Sequence, residues 1–267
     1  MNESYIGRVN SFMPLISVDT LTINIPLELI PSKKYLIDYL LKFSLIPYRQ
    51  YSSDISHETI FYLSKGNERA KVNLIHYYAH KQLKLVFFGL SQYNDIGEQI
   101  KALKIALRVI KSLFRDIQLT DSGHSKIDGS YVGGANPLKL SIAHVDVCYD
   151  IPNNRALSHI PLEAIGKHST TYYNSAEPTI YKHDEVITGI QIGNKDSRFK
   201  LTIYDKKYKK TDGQPIIRFE KRFREKNLKP VVISSMADIY SYIRQVRYEF
   251  SEELEELDSL FKNNFTL

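Results

Sequence analysis

Hydrophobic and polar residues alternate along two runs in the last third of the chain, and this alternation predicts a β-hairpin. The runs are Phe199–Asp205 and Pro215–Phe223, with the turn-forming residues Thr211, Asp212 and Gly213 between them. Because alternate strand residues share a face, one face is apolar. Its members are Phe199, Leu201, Ile203, Ile217, Phe219 and Phe223. The opposite face carries Lys200, Thr202, Tyr204, Lys206, Arg218, Glu220 and Arg222. A tyrosine among lysines, beside a glutamate between two arginines, indicates a functional surface.

The same pattern predicts six further strands, at Val18–Pro26, Thr59–Ser64, Ala70–His76, Leu83–Phe88, Lys139–Asp150 and Val186–Ile192. Gly66-Asn67 is a plausible hairpin turn, and Tyr172–Tyr181 is expected to be irregular. Helical spacing predicts a helix that opens at Pro31-Ser32, a short one within Arg155–Gly166, and a long one from about Ser235.

The clearest helix is Asp95–Arg115, where apolar residues recur at helical spacing. The predicted buried stripe is Ile96, Ile100, Leu103, Leu107, Ile110 and Phe114. The other face carries Lys101, Lys104, Arg108, Lys111 and Arg115. Such a basic stripe could follow a phosphate backbone, but a solvated helix face is the more frequent explanation and the one we favour.

The order strand, helix, strands, helix occurs twice, on either side of a Gly-, Ser- and Asp-rich stretch. This predicts an α+β fold with antiparallel sheets packed on helices, built from two related halves that form one domain. The predicted divisions are a lead-in at 1–16, a first half at 17–120, a linker at 121–137 and a second half at 138–267.

The strand Lys139–Asp150 places His144, Asp146, Cys148 and Asp150 on one face. Two carboxylates two residues apart repel each other unless a cation lies between them. A hard divalent metal such as Mg²⁺ or Mn²⁺ would suit such oxygen ligands. Alternatively, Asp146 pairs with an arginine such as Arg218 or Arg222, and Asp150 simply ends the strand.

The positive charge of the chain is local. Between Lys195 and Lys229 there are 13 Lys/Arg and 5 Asp/Glu, whereas the whole chain of 267 residues has a net charge of +6. A basic sheet surface favours a polyanion such as nucleic acid, although a solvated hairpin has the same composition. The one cysteine, Cys148, excludes an intramolecular disulfide and a cysteine-based zinc cluster, which fits the reducing cytoplasm. No apolar run is long enough to span a membrane.

Three stretches together resemble rolling-circle replication initiators of the staphylococcal plasmid type, with related phage replication proteins and conjugative relaxases. Ser17–Thr22 is similar to their first strand, and Ala143–Asp150 to a later strand with two aspartates at this spacing. The most specific part is Gly189–Lys206, which ends Tyr-Asp-Lys, followed by Ile217–Glu220, which reads Ile-Arg-Phe-Glu. The resemblance spans most of the chain, and its specific part covers about a third.

The resemblance implies a metal-dependent DNA strand transferase. In that family a tyrosine attacks one strand at the origin and stays linked to the 5′ phosphate, which leaves a 3′ hydroxyl for priming. Carried over by position, the nucleophile is Tyr204, with Tyr208 as the alternate and Lys206 beside it. The implied ligands of Mg²⁺ or Mn²⁺ are Asp146 and Glu220, with Asp150 and His144 as weaker candidates. The residues expected to contact DNA are Lys200, Lys207, Lys209, Lys210, Arg218, Arg222 and Arg224.

Implied partners are single-stranded or cruciform origin DNA, a host helicase and a second copy of the chain. The sequence departs from the pattern at His144, where the plasmid family usually has arginine, and His144-Val145-Asp146 does not match the histidine–hydrophobe–histidine motif of other initiators. Three alternatives stay open: a relaxase with the same chemistry, a non-catalytic DNA-binding regulator on the same scaffold, and a scaffold or toxin-type protein whose basic hairpin meets RNA or an acidic partner.

Overall fold

The structure is a computed structural model of the chain. It describes residues 15–30, 32–43, 45–64, 67–78, 82–92, 96–121, 140–152, 165–166, 168–169, 173, 177–193, 199–208, 216–224 and 231–260. Within these ranges the fold is α+β, as predicted, with antiparallel strand pairs and three long helices. None of the described helices is long and apolar enough to cross a membrane.

Eleven strands are present in the described residues. They are β1 (Ser17–Pro26), β2 (Ile46–Ser52), β3 (Ser56–Ser64), β4 (Asn67–Tyr77), β5 (Gln82–Phe88), β6 (Leu140–Pro152), β7 (Thr179–His183), β8 (Val186–Ile192), β9 (Phe199–Asp205), β10 (Ile216–Arg224) and β11 (Val231–Ile233). The helices whose bounds lie within the described residues are α1 (Lys33–Lys42), α2 (Ile96–Asp121) and α3 (Met236–Leu260). Single 3-10 turns follow β1 at Leu27–Leu29 and β9 at Lys206–Tyr208.

The chain divides into two compact units. The first unit comprises Asp19–His144 and Leu228–Ser241, and the second comprises Met1–Val18, Val145–Asn227 and Tyr242–Leu267. β6 therefore runs from one unit into the other. The linker predicted at 121–137 lies outside the described residues, apart from Asp121 at the end of α2.

The first unit has the strand order β2-β3-β4-β5-β1, and the first residues of β6 lie next to β1. One face of these strands is apolar and buried, with Leu21, Phe61, Leu74 and Phe87 all at 0% exposure. α2 packs against β3. α1 begins where predicted, because the side chain of Ser32 accepts a hydrogen bond from the backbone N–H of Tyr35 at 3.1 Å.

The second unit has the order β7-β8-β9-β10, and β10 pairs with the rest of β6. Each unit therefore contains a four-stranded meander whose last strand lies beside an earlier strand. The relation between the two predicted halves stays a prediction. The β7–β8 hairpin turns through Asp184 and Glu185, which both have positive φ. Positive φ at both central residues matches the right-handed twist of the strands in a two-residue turn.

Two expectations about the elements are wrong. Tyr172–Tyr181 was expected to be irregular, yet Thr179–Tyr181 belong to β7, an edge strand exposed along its length. In α2 the buried stripe is rotated from the predicted one. Ile100 is 48% exposed, while Ala102, Ala106, Val109, Ile110 and Leu113 are buried. The two alanines are small and permit close packing of the helix. The predicted stripe missed them because it was drawn from the large apolar residues alone. The basic residues of α2 are exposed, as the solvated-face interpretation expects.

The turns predicted at 211–213 and at Gly66, and most of the short helix within 155–166, lie outside the described residues. α3 buries Ile239, Ile243, Val246, Phe250, Leu254 and Leu257, as its spacing predicts. Its acidic end is less solvated than its composition indicates, because Glu253 and Asp258 are buried.

Candidate active site

The register of β9 and β10 assembles the polar face that the alternation predicts. Tyr204 is directly opposite Arg218, and Thr202 is opposite Glu220. Lys200 is opposite Arg222 in the next row. Side chains of directly opposed residues lie on the same face of a sheet. The hairpin therefore presents the candidate residues together, while Ile217, Phe219 and Phe223 are buried on the other face.

The hydroxyl of Tyr204 donates a hydrogen bond to Oε2 of Glu220 at 3.0 Å. This is a diagonal contact, because the residue directly opposite Tyr204 is Arg218. A carboxylate that accepts the phenol proton is placed to act as a general base toward a tyrosine nucleophile. The Tyr204 side chain is largely covered, with 6% exposure.

Two arginine–carboxylate pairs flank this contact. Arg222 donates from Nε and a terminal nitrogen to the two oxygens of Asp146, each at 2.8 Å. Arg218 binds both oxygens of Asp150 in the same way, at 2.6 and 2.7 Å. Paired, parallel hydrogen bonds of this kind fix geometry as well as charge. The alternative in which Asp146 pairs with an arginine is therefore the arrangement in this structure.

These pairs are buried to different degrees. Asp146 is 2% exposed and Arg218 is 0% exposed, whereas the side chain of Arg222 is 35% exposed. Lys206 is also buried, and its ammonium lies 3.6 Å from Oδ2 of Asp150. Asp150 thus receives positive charge from two sides. Arg218, predicted to contact DNA, directs its guanidinium to Asp150 here.

The predicted metal ligands do not form a ready metal site in this arrangement. In the part of the chain that the structure describes, no three His, Cys, Asp or Glu side chains converge in a way that would hold a metal ion. The oxygens of Asp146 and Asp150 bind guanidinium groups, and the ring of His144 lies 3.2 Å from the hydroxyl of Thr22. The residues as arranged do not fit a divalent cation, and their role as ligands stays a prediction.

Lys200 is half-buried near the same charges. Burial lowers the pKa of its ammonium, Arg222 lowers it further, and Glu220 and Asp146 partly offset both effects. Lys207, in the 3-10 turn after β9, and Arg224, at the end of β10, are exposed, as a DNA-contacting role requires. Lys209 and Lys210 lie outside the described residues.

The alternate nucleophile, Tyr208, has the opposite character to Tyr204. It is 41% exposed in the 3-10 turn after β9, with its ring 5.8 Å from that of His183 and 5.9 Å from the ammonium of Lys207. Access to solvent favours Tyr208 as nucleophile, whereas the carboxylate partner favours Tyr204.

Sequence reasoning missed a buried polar cluster on the opposite face of β10. Lys221 donates a hydrogen bond to Oε2 of Glu253, and Oε1 of Glu253 lies 2.7 Å from His168 Nε2 and 2.6 Å from the Tyr173 hydroxyl. Burial alone would raise the pKa of Glu253, but the hydrogen bond from His168 and the charge and hydrogen bond of Lys221 hold it below its ordinary value. Burial and Glu253 together raise the pKa of Tyr173 well above its ordinary value.

A signal for this cluster was present in the sequence. Lys221 occupies the apolar phase of β10, between Phe219 and Phe223, and Glu253 occupies the buried phase of α3. One charged residue in an apolar phase is often a local irregularity, but two of opposite sign predict a buried pair.

Comparison with known proteins gives one structural likeness to report. No protein-family model matches the chain, and no curated protein is significantly similar to it. The structure is similar to that of a rolling circle replication initiator protein from Geobacillus stearothermophilus, with a TM-score of 0.42 and 12% sequence identity. The match covers 88% of this chain and 78% of that one. A likeness at this level assigns no role to a residue of this chain.

Proposed function

We propose that the protein is a DNA strand transferase that nicks and rejoins single-stranded origin DNA through a 5′-phosphotyrosine, and so initiates rolling-circle replication of a plasmid or phage. The observation that carries the proposal is the hydrogen bond from Tyr204 to Glu220 on a face lined with lysine and arginine. A tyrosine hydroxyl has an ordinary pKa of about 10, so it needs a base or positive charge to attack at neutral pH.

In the proposed reaction, the Tyr204 oxygen forms a bond to the phosphorus as its proton passes to Glu220. The bond from phosphorus to the 3′ oxygen of the preceding nucleotide breaks, and that oxygen takes a proton from solvent. Rejoining is the reverse: a 3′ hydroxyl attacks the phosphotyrosine, and protonated Glu220 returns its proton to the leaving phenolate. Because one phosphodiester is exchanged for another, the tyrosine ester preserves the free energy of the broken bond, and both directions are accessible.

The cationic residues supply the electrostatic part of the mechanism. Negative charge builds up on the non-bridging oxygens of the phosphate during transfer, and fixed positive groups stabilise it without reorganisation. Lys200 and Arg222 lie opposite each other, in the row next to Glu220, and both are partly exposed. Lys207 and Arg224 would hold the flanking phosphates.

The requirement for Mg²⁺ or Mn²⁺ stays a prediction, with Asp146 and Glu220 as its first ligands. The same holds for the host helicase and for a homodimer. A conjugative relaxase would use the same chemistry on a different origin, and the residues of the site do not distinguish the two roles.

The test is incubation with labelled single-stranded DNA from the origin of the genetic element that encodes the protein, in Mg²⁺, Mn²⁺ or chelator, followed by denaturing electrophoresis. Wild type should give a covalent protein–DNA band. Tyr204→Phe should abolish the band and leave DNA binding near wild type, because only the hydroxyl is removed. Tyr208→Phe is the matched control, and loss of the band in that variant alone would show that the nucleophile is the exposed tyrosine.

Glu220→Gln separates the base from the hydrogen-bond acceptor. The amide oxygen can still accept from Tyr204, but the side chain cannot take its proton. General-base catalysis contributes about 10²- to 10⁴-fold, so single-turnover adduct formation should slow by roughly that factor. An unchanged rate would remove Glu220 from the proposed reaction.

A second candidate function is a non-catalytic DNA-binding regulator on the same scaffold. The observations that favour it are the 6% exposure of Tyr204 and the binding of both aspartates by arginines. It is the conclusion if origin DNA binds without forming an adduct under any of the metal conditions.

A further inference from the structure

The face of the first unit's sheet that is opposite its apolar core is open along three strands. In β3, β4 and β5, residues that point to the core are buried, and the residues between them are partly exposed. For example, Phe61, Val72 and Phe87 are 0% exposed. Their sequence neighbours on the other face, Tyr62, Lys71 and Phe88, are partly exposed. This open face has no role in the proposed reaction.

Part of the open face is aromatic and basic, and the same face also carries Ile60, Ile75 and Val86. We call it the aromatic face and define it by Tyr48, Arg49, Tyr51, Tyr62, Lys71, Tyr77, Lys84 and Phe88. Tyr48 lies at the β-bulge of β2, and its ring is 4.5 Å from that of Tyr62. A bulge re-aims a side chain, and here it brings two tyrosine rings together. Tyr48 is 48% exposed and Tyr51 is 43% exposed.

Each cation of the aromatic face lies over a ring. The ammonium of Lys71 is 5.3 Å from the centre of the Tyr48 ring and 5.6 Å from that of Tyr62. Arg49 lies 4.7 Å from the ring of Tyr51, and Lys84 lies 5.2 Å from the ring of Tyr77. Cation–π contacts of this kind hold positive charge beside a flat apolar surface.

The charge of the face complements a polyanion. Arg49, Lys71 and Lys84 are its cations, and Glu58, a carboxylate on the same face, accepts a hydrogen bond from Asn73. Rings beside cations provide both contacts that a single strand of nucleic acid needs, since bases stack on rings and phosphates bind cations. In a duplex the faces of the bases are already stacked, so a platform of exposed rings selects the single strand.

By strand order, the aromatic face has a counterpart in the second unit. The meander β2-β3-β4-β5 beside β1 has the same order as β7-β8-β9-β10 beside β6. The strands that carry Tyr204 and Glu220 in the second unit correspond to β4 and β5, which carry Lys71, Tyr77 and Lys84. The second unit has a tyrosine–carboxylate pair at this place, whereas the first unit has rings and lysines.

We propose that the aromatic face is a binding platform for single-stranded DNA, on which bases stack against Tyr48 and Tyr51 while Lys71, Arg49 and Lys84 bind the phosphates. This platform is separate from the candidate active site and does not depend on covalent chemistry there. A protein that binds single strands but never forms an adduct would still contain it.

The experiment compares two labelled oligothymidylates of about fifteen nucleotides, within the range that such surfaces bind. One is intact, and the other carries abasic residues that keep every phosphate. Fluorescence anisotropy gives the affinity of wild type, of Tyr48→Leu and of Tyr240→Leu for both. Tyr240 is the matched control, because it is a tyrosine of similar exposure, 53%, that lies on α3 and not on a strand of the aromatic face.

We expect Tyr48→Leu to weaken binding of the intact strand by about fivefold to a hundredfold, because stacking on one ring contributes about 1–3 kcal/mol per base. Its effect on the abasic strand should be smaller than twofold, and Tyr240→Leu should change neither affinity. Lys71→Gln should lower the slope of log affinity against log salt by about 0.7, the value for one phosphate contact on a single strand.

Three results of the anisotropy measurements would overturn the proposal. They are equal loss for the intact and abasic strands in Tyr48→Leu, no loss for either, and competition by duplex DNA as effective as that by the single strand. Photocrosslinking with 5-iododeoxyuridine provides an independent check, since the crosslinked peptide should contain Tyr48 or Tyr51. A crosslink that maps only to residues 199–224 would place all single-strand binding at the candidate active site and refute a second surface. A circular dichroism melt of each variant confirms that it is folded.

Discussion

Replacing Glu253 with glutamine should destabilise the protein strongly, because it removes the charge that a buried lysine depends on. Glu253 is 3% exposed and Lys221 is 8% exposed, so neither charge is well hydrated. The glutamine keeps the shape of the side chain. Its carbonyl oxygen can still accept one hydrogen bond, but its NH₂ group faces donors from Lys221, Tyr173 or His168.

The magnitude follows from the burial. Removing one partner of a buried ion pair costs about 3–5 kcal/mol, since it leaves an uncompensated charge in the interior. For a chain of this size, 1 kcal/mol corresponds to a shift of roughly 2–4 °C in the melting temperature. The expected decrease is therefore roughly 6 to 20 °C. Glu252→Gln, at the next position and exposed on the same helix, should change the free energy of unfolding by less than about 0.5 kcal/mol.

The assay is urea unfolding of wild type, Glu253→Gln, Lys221→Met and the double variant. Removing both charges should recover most of the loss, because a buried pair can often be replaced by uncharged residues of similar volume without cost. The coupling free energy from this cycle should exceed about 2 kcal/mol. Additive single effects, or a Glu253→Gln variant as stable as Glu252→Gln, would refute the reasoning.

Three further predictions test the site and the fold. The pKa of Glu253 is held below its ordinary value of 4.5, so the stabilisation by its charge is complete above pH 4.5 and is lost as the pH falls through the lower pKa of the folded state. The difference in unfolding free energy between wild type and Glu253→Gln should therefore narrow in acid. Urea unfolding at pH 2–7 measures this difference. Asp150→Asn should lower the free energy of unfolding by about 3–5 kcal/mol, because it removes the carboxylate that the buried Arg218 binds. Asp146→Asn should lower it by only about 1–3 kcal/mol, since Arg222 can reach solvent. Equal losses in thermal melts would contradict the assigned pairs. In α2, Ile110→Ala should lower the free energy of unfolding by about 2–5 kcal/mol, because Ile110 is buried, and the exposed Ile100→Ala should lower it by less than about 0.5 kcal/mol. The reverse order in urea unfolding would support the buried stripe predicted from the sequence.

The hairpin of the candidate site could be predicted almost to the residue. β9 begins and ends at Phe199 and Asp205, as predicted, because strict alternation of apolar and polar residues marks the whole strand and decides which set of side chains is buried. The same signal placed Tyr204 and Glu220 on one face. It could not show that the two side chains meet, since a contact across strands depends on the pairing register.

The strands that were missed share a physical reason. β2 and β7 are edge strands exposed along most of their length, so no apolar alternation marks them, and Pro47 further weakens the signal in β2. β11 has three residues and takes its structure from pairing with β6. In each case the partner strand, rather than the local sequence, decides the conformation. The local pattern also could not predict the partners of Asp146 and Asp150, because Arg218 and Arg222 lie on the same face of one strand and either could pair with either aspartate.

The stability of the fold does not by itself require the charged pairs of the second unit. Replacing a buried ion pair by apolar residues of similar size is often neutral or stabilising. The burial of Asp146, Arg218 and Glu253 in ion pairs therefore does not by itself explain their presence. What the pairs do fix is orientation. Arg218 and Arg222 hold the polar face of β10 on both sides of Glu220, and Lys221 fixes the strand from behind through Glu253. Glu220 thus lies on a strand that is fixed at three nearby residues, and the proposed role as a base aimed at a single hydroxyl would need this rigidity.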